Sequence, residues 1–101
     1  MIVYCTVPSA EVGTEIARDL VEAGLCACVN RISGVTSTYI YDGALCEDAE
    51  ELLIIKTLPS HYERLEARIL ELHPYDLPEI VATEITAGSS AYMQWLSGAL
   101  R

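Results

Sequence analysis

Four cysteines stand at positions 5, 26, 28 and 46, and thiols are the ligands that soft metal ions prefer. Cys26 and Cys28 alternate onto the same face of a predicted strand, roughly 6 to 7 Å apart, a spacing that suits two sulfurs converging on one ion. The alternative is core packing, since cysteine is among the most buried residue types. A direct disulfide is disfavoured because the extended spacing exceeds the usual Cα separation of about 5.5 to 6 Å. The absence of a C-x-x-C pair excludes zinc-ribbon and thioredoxin-type sites.

A second group with metal-binding chemistry lies between His73 and Glu79, in the segment His-Pro-Tyr-Asp-Leu-Pro-Glu. It brings an imidazole, the Tyr75 phenol and two carboxylates onto one proline-stiffened loop, a ligand set suited to Cu²⁺, Zn²⁺ or Ni²⁺. Its spacing matches no established metal motif. The structural alternative is that His73 interacts with the negative end of the preceding helix while the prolines shape the turn.

Signatures of enzymes are missing from the sequence. The glycines are too scattered for a loop that cradles phosphate, and there is no G-x-S-x-G motif. An acylphosphatase would need an arginine after the first strand, and residues 7–12 contain none. The acidic cluster at residues 47–51 is typical of a solvated hairpin tip, with weak binding of a hard cation as the alternative. We therefore expect a binding protein rather than an enzyme.

The composition of the chain also indicates which kinds of partner it does not bind. The chain has 101 residues, 15 acidic against 6 basic, with a net charge of −9, which argues against nucleic acid as a partner. No apolar run approaches the roughly 20 residues needed to span a bilayer. The start, Met1 to Pro8, lacks the features of a secretory signal, so we expect a cytoplasmic protein with reduced thiols. The length predicts a single domain covering residues 1–101.

The elements that position these residues follow from periodicity. Residues 2–7 form an apolar, β-branched run that predicts a buried strand, and Ser9 is a helix N-cap. Apolar residues at four-residue spacing then predict a helix that ends at Gly24. From Leu25 the period changes to two, which predicts a strand, with a bend at Ser33-Gly34 and a second stretch at 35–41. Asp42-Gly43 predicts a hairpin turn, and the partner strand runs through 52–57.

The second half of the chain predicts two helices and one strand. Ser60 and Glu63 are spaced as a capping box, which predicts a helix that stops near His73-Pro74. Residues 80–85 predict another strand, and an aromatic stripe that includes Tyr92 predicts a short C-terminal helix.

The element order β, α, β, β, α, β, α predicts an α+β fold, a ferredoxin-like sandwich with two helices on one face of an antiparallel sheet. The other face would expose apolar strands around Tyr39–Tyr41 and Leu52–Ile55. The C-terminal helix alone, about 10 residues long, is too short to cover them. We therefore expect a homo-oligomer, in which a second copy covers this face.

Several short motifs are spread along the whole chain. They are Cys5-Thr6, Ala27-Cys28-Val29-Asn30-Arg31-Ile32, Gly34-Val35-Thr36-Ser37, Asp42-Gly43, Lys56-Thr57, His73-Pro74-Tyr75, Pro78-Glu79-Ile80, Tyr92 and Trp95. In this pattern, from Ile2 to Arg101, the sequence resembles the CutA divalent-cation tolerance family. The resemblance implies a ferredoxin-like homotrimer with a role in tolerance of copper and other divalent metals.

The resemblance also implies where a metal ion would bind. Cys28 is the main candidate, with Cys5 and His73 as lesser ones. Cys26 stands where the family usually has alanine and adds a second thiol beside Cys28. Further candidates for a cleft or loop site are Tyr75, Glu79, Lys56 and Arg31.

Three functions remain open from the sequence. The first is a non-enzymatic, cytoplasmic homotrimer that binds copper or another divalent metal ion. The second is a trimeric signalling protein like the PII proteins, which bind small molecules in clefts between subunits. Its phosphate ligands favour several Arg or Lys, and this chain has only six, in a strongly acidic context. The third is a trimeric interaction scaffold.

Overall fold

The computed structural model describes residues 1–101, which form a four-stranded antiparallel sheet and three α-helices, in agreement with the predicted α+β class. The order along the chain is β1 (Ile2–Val7), α1 (Ala10–Glu22), β2 (Cys28–Tyr41), β3 (Ala44–Lys56), α2 (Tyr62–Leu72), β4 (Ile80–Thr83) and α3 (Ser90–Ala99), with a 3₁₀ turn at Pro59–His61 before α2. The strand order in the sheet is β2-β3-β1-β4. No helix is long and apolar enough to cross a membrane.

The core lies between α1, α2 and one face of the sheet. Alternate residues of β1 and β3 face this side, and they pack against the apolar stripes of the two helices. The fully buried side chains of this core include Val3, Val7, Ile16, Leu20, Leu53, Ile55, Leu65 and Ile69. Arg68 of α2 also donates two hydrogen bonds to the Asp19 carboxylate of α1, at 2.6 and 2.7 Å. The opposite face carries no part of this core and is called the open face below.

The β2–β3 hairpin has two halves. In the body half, the part of β3 from Glu51 to Lys56 pairs with β1 on one side, and β2 lies on its other side. Between Glu51 and the hairpin turn, β2 and β3 pair only with each other. This second half, residues 35–50, is called the arm. The Asp42-Gly43 turn is confirmed, with positive φ at both residues (51° and 76°).

Four element predictions need correction. The second strand begins at Cys28, not Leu25, and Ser33-Gly34 is a bulge within one continuous strand. The third strand begins at Ala44, so the acidic cluster lies within a strand and not at a hairpin tip. The predicted capping box does not form, because Ser60 bonds the neighbouring His61 ring and a 3₁₀ turn precedes α2. The fourth strand ends at Thr83, where its partner β1 begins.

Candidate functional site

A cleft of about 680 Å³ lies between the arm and the Pro74–Glu79 loop. Its floor includes Thr6, at the end of β1 on the open face. The ionisable side chains that line it are three carboxylic acids and three phenols, and no Lys or Arg is among the lining residues. These six residues are Glu50, Asp76, Glu79, Tyr39, Tyr41 and Tyr75. The cleft therefore presents oxygen ligands and negative charge, a surface suited to cations.

The bulge in β2 decides which arm residues reach this cleft. Before the bulge, Ile32 pairs with Leu52, and after it Val35 pairs with Glu50, so two residues of β2 stand opposite Glu51 alone. Because side chains alternate along a strand, this extra residue reverses which positions face the open side. Odd-numbered residues of the arm, such as Ser37 and Tyr39, thereby line the cleft.

His73 anchors the loop side of the cleft. Its ring is buried, and Nδ1 accepts a hydrogen bond from the Tyr75 backbone N–H at 3.2 Å. The proton therefore sits on Nε2, which donates to the Thr6 carbonyl at 2.8 Å. With both ring nitrogens engaged, His73 positions the loop and holds no free lone pair for a metal ion.

Two phenol–carboxylate contacts involve tyrosines of the cleft, and one of them connects its walls. The Tyr75 hydroxyl donates to Glu50 at 2.9 Å, which joins the loop to the arm. The Tyr39 hydroxyl donates to the Asp48 carboxylate across the arm. Burial and the bond to Glu50 raise the pKa of Tyr75 to about 12, and the bond to Asp48 raises the pKa of Tyr39 to about 12. Both phenols therefore stay protonated and remain hydrogen-bond donors at neutral pH.

The four thiols fall into two environments. Cys5 and Cys26 belong to the buried core, and burial raises the pKa of each to about 12. Cys28 and Cys46 are half-buried, and all four are free cysteines. A thiol that remains protonated is a poor metal ligand, since the thiolate is the form that binds. This difference favours Cys28 and Cys46 over Cys5 and Cys26 as ligands.

The prediction that Cys26 and Cys28 share one strand face is wrong. Cys26 precedes the strand and packs in the core, whereas Val29, which pairs with the buried Ile55, is the β2 residue that packs against that core. Its neighbour Cys28 therefore faces the open side. The two thiols therefore do not project from one face of a strand, as the sequence predicted: Cys26 lies in the core and Cys28 is half-buried in β2.

The structure separates the remaining candidates as well. Lys56 pairs with Cys28 at one end of the sheet, next to Ile2, while the cleft begins at Thr6. The two ends are roughly 13 Å apart, at about 3.3 Å for each residue of β1. Arg31 lies on the helix side, where it contacts α1. Of the predicted loop residues, Tyr75, Asp76 and Glu79 line the cleft. The His73 ring lies against the ring of Tyr75, with 4.8 Å between the ring centroids.

No group of three or more His, Cys, Asp or Glu side chains converges closely enough to hold a metal ion within the single chain. The sequence analysis named Glu50 only as part of an acidic hairpin tip with possible cation binding, and it missed Ser37 and Tyr39 as cleft residues. The bulge at Ser33-Gly34 was the available indication, because a bulge shifts the alternation by one residue.

The fold and cleft define a class: a small α+β protein in which the sheet face opposite α1 and α2 carries an acidic, tyrosine-lined cleft. The profile of the CutA1 divalent ion tolerance protein family matches residues 1–99. The chain belongs to this family.

Individual relatives match nearly all of this chain. The divalent-cation tolerance protein CutA of Thermus thermophilus is 47% identical over 95 residues, which are 94% of this chain and 92% of the relative. The protein CutA, chloroplastic, of Arabidopsis thaliana is 44% identical over 101 residues, all of this chain but only 56% of the relative. This chain therefore spans little more than half the length of the plant protein.

Solved structures give the same result. The divalent cation tolerance protein Cut A1 from Thermus thermophilus superimposes with a TM-score of 0.97 at 45% identity, covering 99% of this chain and 97% of that one. The periplasmic divalent cation tolerance protein CutA from Archaeoglobus fulgidus gives a TM-score of 0.96 at 28% identity, with 99% and 97% covered. The backbone is thus similar at widely different levels of identity.

Proposed function

We propose that this protein is a non-enzymatic homotrimer that binds divalent metal ions, copper among them, and contributes to metal tolerance. The observation that carries the proposal is the cleft on the open face, whose ionisable lining residues are all acids or phenols. Membership of a divalent ion tolerance family supports the same ligand class. The cytoplasmic location belongs to this proposal and is supported by four free thiols, which suit a reducing compartment.

The donor atoms decide which ion suits which position. Carboxylates such as Glu50 and Glu79 suit hard or borderline divalent cations, whereas copper binds thiol and imidazole ligands more strongly. We place the oxygen-bound cation in the cleft and copper at the accessible Cys28 thiol. Because no three ligands converge in one chain, water or a second copy completes each coordination set.

Exposed apolar surface supports the proposed trimer. Ile32 and Val81 are about half exposed on the open face of the body, and Ile40 and Leu45 of the arm are 73% and 70% exposed. Association hides such surface from water. The strand order β2-β3-β1-β4 with two helices on one face supports the ferredoxin-like arrangement that we assign to each subunit.

The cleft chemistry also discriminates against the signalling alternative. Nucleotide phosphates are recognised by Arg, Lys or helix N-termini, and the cleft lining holds neither Arg nor Lys. Its carboxylates would repel a phosphate, so cations are the better ligands. The scaffold alternative has no structural feature of its own in its favour.

Metal titration of separate variants tests the proposal. Manganese and copper binding are measured by calorimetry on wild type, Glu79→Gln, Cys28→Ser and the control Glu47→Gln, an exposed arm residue outside the cleft lining. We expect Glu79→Gln to weaken manganese binding about tenfold and Cys28→Ser to weaken copper binding at least as much. The control should match wild type. Absence of binding by wild type, or equal affinities in all four proteins, would contradict the proposal.

The assembly has its own test. Multi-angle light scattering at micromolar concentration should give three times the chain mass of 11.1 kDa. A stable monomer would refute the trimer.

A further inference from the structure

Glu51 is a buried carboxylate that the cleft does not use. It is 4% exposed, and its neighbour Glu50 points to the opposite, open side of the sheet. Glu51 is also the first residue of β3 that pairs with β1, where its partner is Val7. On its other side it stands opposite the Ser33-Gly34 bulge of β2. The residue therefore marks the root of the arm.

Three residues from two elements, β2 and α1, surround this carboxylate. Arg31 of β2 lies 3.4 Å from Oε1, and the Ser33 hydroxyl of the bulge lies 3.5 Å from Oε2. Helix α1 supplies the third side, because a Cβ added at Gly13 would collide with Oε1. Only a residue without a side chain leaves room for the buried carboxylate here.

The same Arg31 nitrogen, Nη1, ties this group to the start of α1. It donates to the Ala10 carbonyl at 3.0 Å and also bonds the Thr14 hydroxyl. The Arg31 guanidinium and the Glu51 carboxylate therefore connect the first turns of α1 to the bulge of β2. They do so at the point where β3 stops pairing with β1. A buried charge requires such compensation, since an unpaired one is strongly unfavourable.

Within one subunit the arm needs a fixed root, because little else in the same chain orients it. Beyond Glu51 it is a two-stranded ribbon with exposed side chains, and isolated two-stranded hairpins are marginally stable. Its one side-chain hydrogen bond to the loop across the cleft is the one from Tyr75 to Glu50.

We propose that Arg31, Glu51 and Gly13 form a joint that fixes the direction of the arm relative to the body and thereby sets the width of the cleft. They are positioning residues that act on the cleft through the bulge. The effect on metal affinity rests on the proposed function, whereas the effect on arm mobility does not.

Hydrogen exchange of the backbone amides, followed by mass spectrometry on the intact protein, tests the joint. Glu51→Gln keeps the shape of the side chain and removes its charge. We expect exchange in residues 35–50 to become about threefold to tenfold faster, as for the loss of an ion pair whose arginine is partly exposed, while β1 and α2 keep wild-type rates. Manganese affinity in the cleft should fall by a similar factor.

Matched variants separate this role from a general loss of stability. Glu47→Gln removes the same charge from the same strand within the arm and should leave the exchange at wild-type rates. Gly13→Ala changes no charge and favours helix, yet it should accelerate arm exchange because it displaces the Glu51 carboxylate. Arg31→Lys should largely retain slow exchange, since all contacts of Arg31 come from one nitrogen.

The results that would overturn the joint are distinct from those that would overturn metal binding. Wild-type arm exchange in both Glu51→Gln and Gly13→Ala refutes it. So does acceleration spread evenly over β1, α2 and the arm, which is the signature of global destabilisation. If wild type binds no manganese but arm exchange responds as expected, the proposed function fails and the joint stands.

Discussion

The two halves of the β2–β3 hairpin share one hydrogen-bonded ladder but differ in how far their side chains are buried. In the body half, Leu53 and Ile55 are fully buried under α1 and α2. In the arm, Ile40 and Leu45 are 73% and 70% exposed. The change occurs at Glu51, where β1 ends and the bulge begins.

The difference shows that one strand can be held in two ways. Burial of alternate residues fixes the register of the body, because a slip of one residue would move every apolar side chain out of the core. The arm has no buried face in the single chain. Its register depends on the Asp42-Gly43 turn, the bulge and hydrogen bonds such as Tyr39 to Asp48. The arm carries one wall of the cleft, so the weakly held half is the one closest to ligand chemistry.

Cysteine reactivity should give the largest contrast between the arm and the core on which the body half packs. At pH 8, alkylation of the arm residue Cys46 should be at least about 10³-fold faster than that of Cys5 or Cys26, because burial lowers the thiolate fraction of the core thiols by that factor. Mass spectrometry after timed iodoacetamide exposure measures each site.

The same thiols predict a pH dependence. Because their folded pKa lies above the unfolded value, the stability that they contribute is full below the unfolded pKa and is lost as the pH rises through about 12. Urea midpoints should therefore fall from pH 9 upward, and less steeply in Cys26→Ala.

In the alkylation experiment, equal rates at all four cysteines would show that the core is open to reagent.

The next largest effect concerns apolar side chains of one strand. Leu53→Ala should cost about 2–5 kcal/mol of unfolding free energy, since it leaves a cavity in the core. Leu45→Ala, eight residues away in β3, should cost clearly less, because only contacts with another copy can bury a side chain that is 70% exposed within one chain. Urea denaturation at matched protein concentration measures both. A Leu45→Ala loss as large as that of Leu53→Ala would mean that the arm is packed as tightly as the body.

The smallest effect concerns the contact that closes the arm onto the loop. Tyr75→Phe removes the hydroxyl that bonds Glu50 and should cost about 0.5–1.5 kcal/mol or less, because the bond is exposed. Hydrogen exchange should increase in the arm and not in α2. Tyr41→Phe, which lacks such a hydroxyl bond, is the control, and an equal response of the two variants would remove Tyr75 from this role.

Much of the fold was predictable because local patterns and core packing agree. The apolar runs of β1 and the helical stripes of α1 and α2 were assigned to the right elements. The start of β2 and the cap of α2 were wrong for a common reason. Residues 25–27 are buried by tertiary packing without joining the ladder, and Ser60 finds a side-chain partner in His61 that competes with capping.

The candidate site was predictable only in part. The loop residues Tyr75 and Glu79 reach the cleft as the composition of their segment indicated. Cys5 was a reasonable ligand by residue type, yet its burial raises the pKa of its thiol, and burial depends on neighbours distant in sequence. His73 lies beside the cleft, but both of its ring nitrogens bond backbone groups, those of Thr6 and Tyr75.

The sequence by itself determined the element types and their order, because periodicity, turn residues and helix caps act over a few neighbouring residues. It also determined the acidic character of the surface. The tertiary structure alone decided which side chains meet: it buried Cys26 apart from Cys28, joined Arg31 to Glu51 beside Gly13, and turned Tyr39 into the cleft. These outcomes depend on strand register and on contacts between distant segments, and no local pattern specifies either of them.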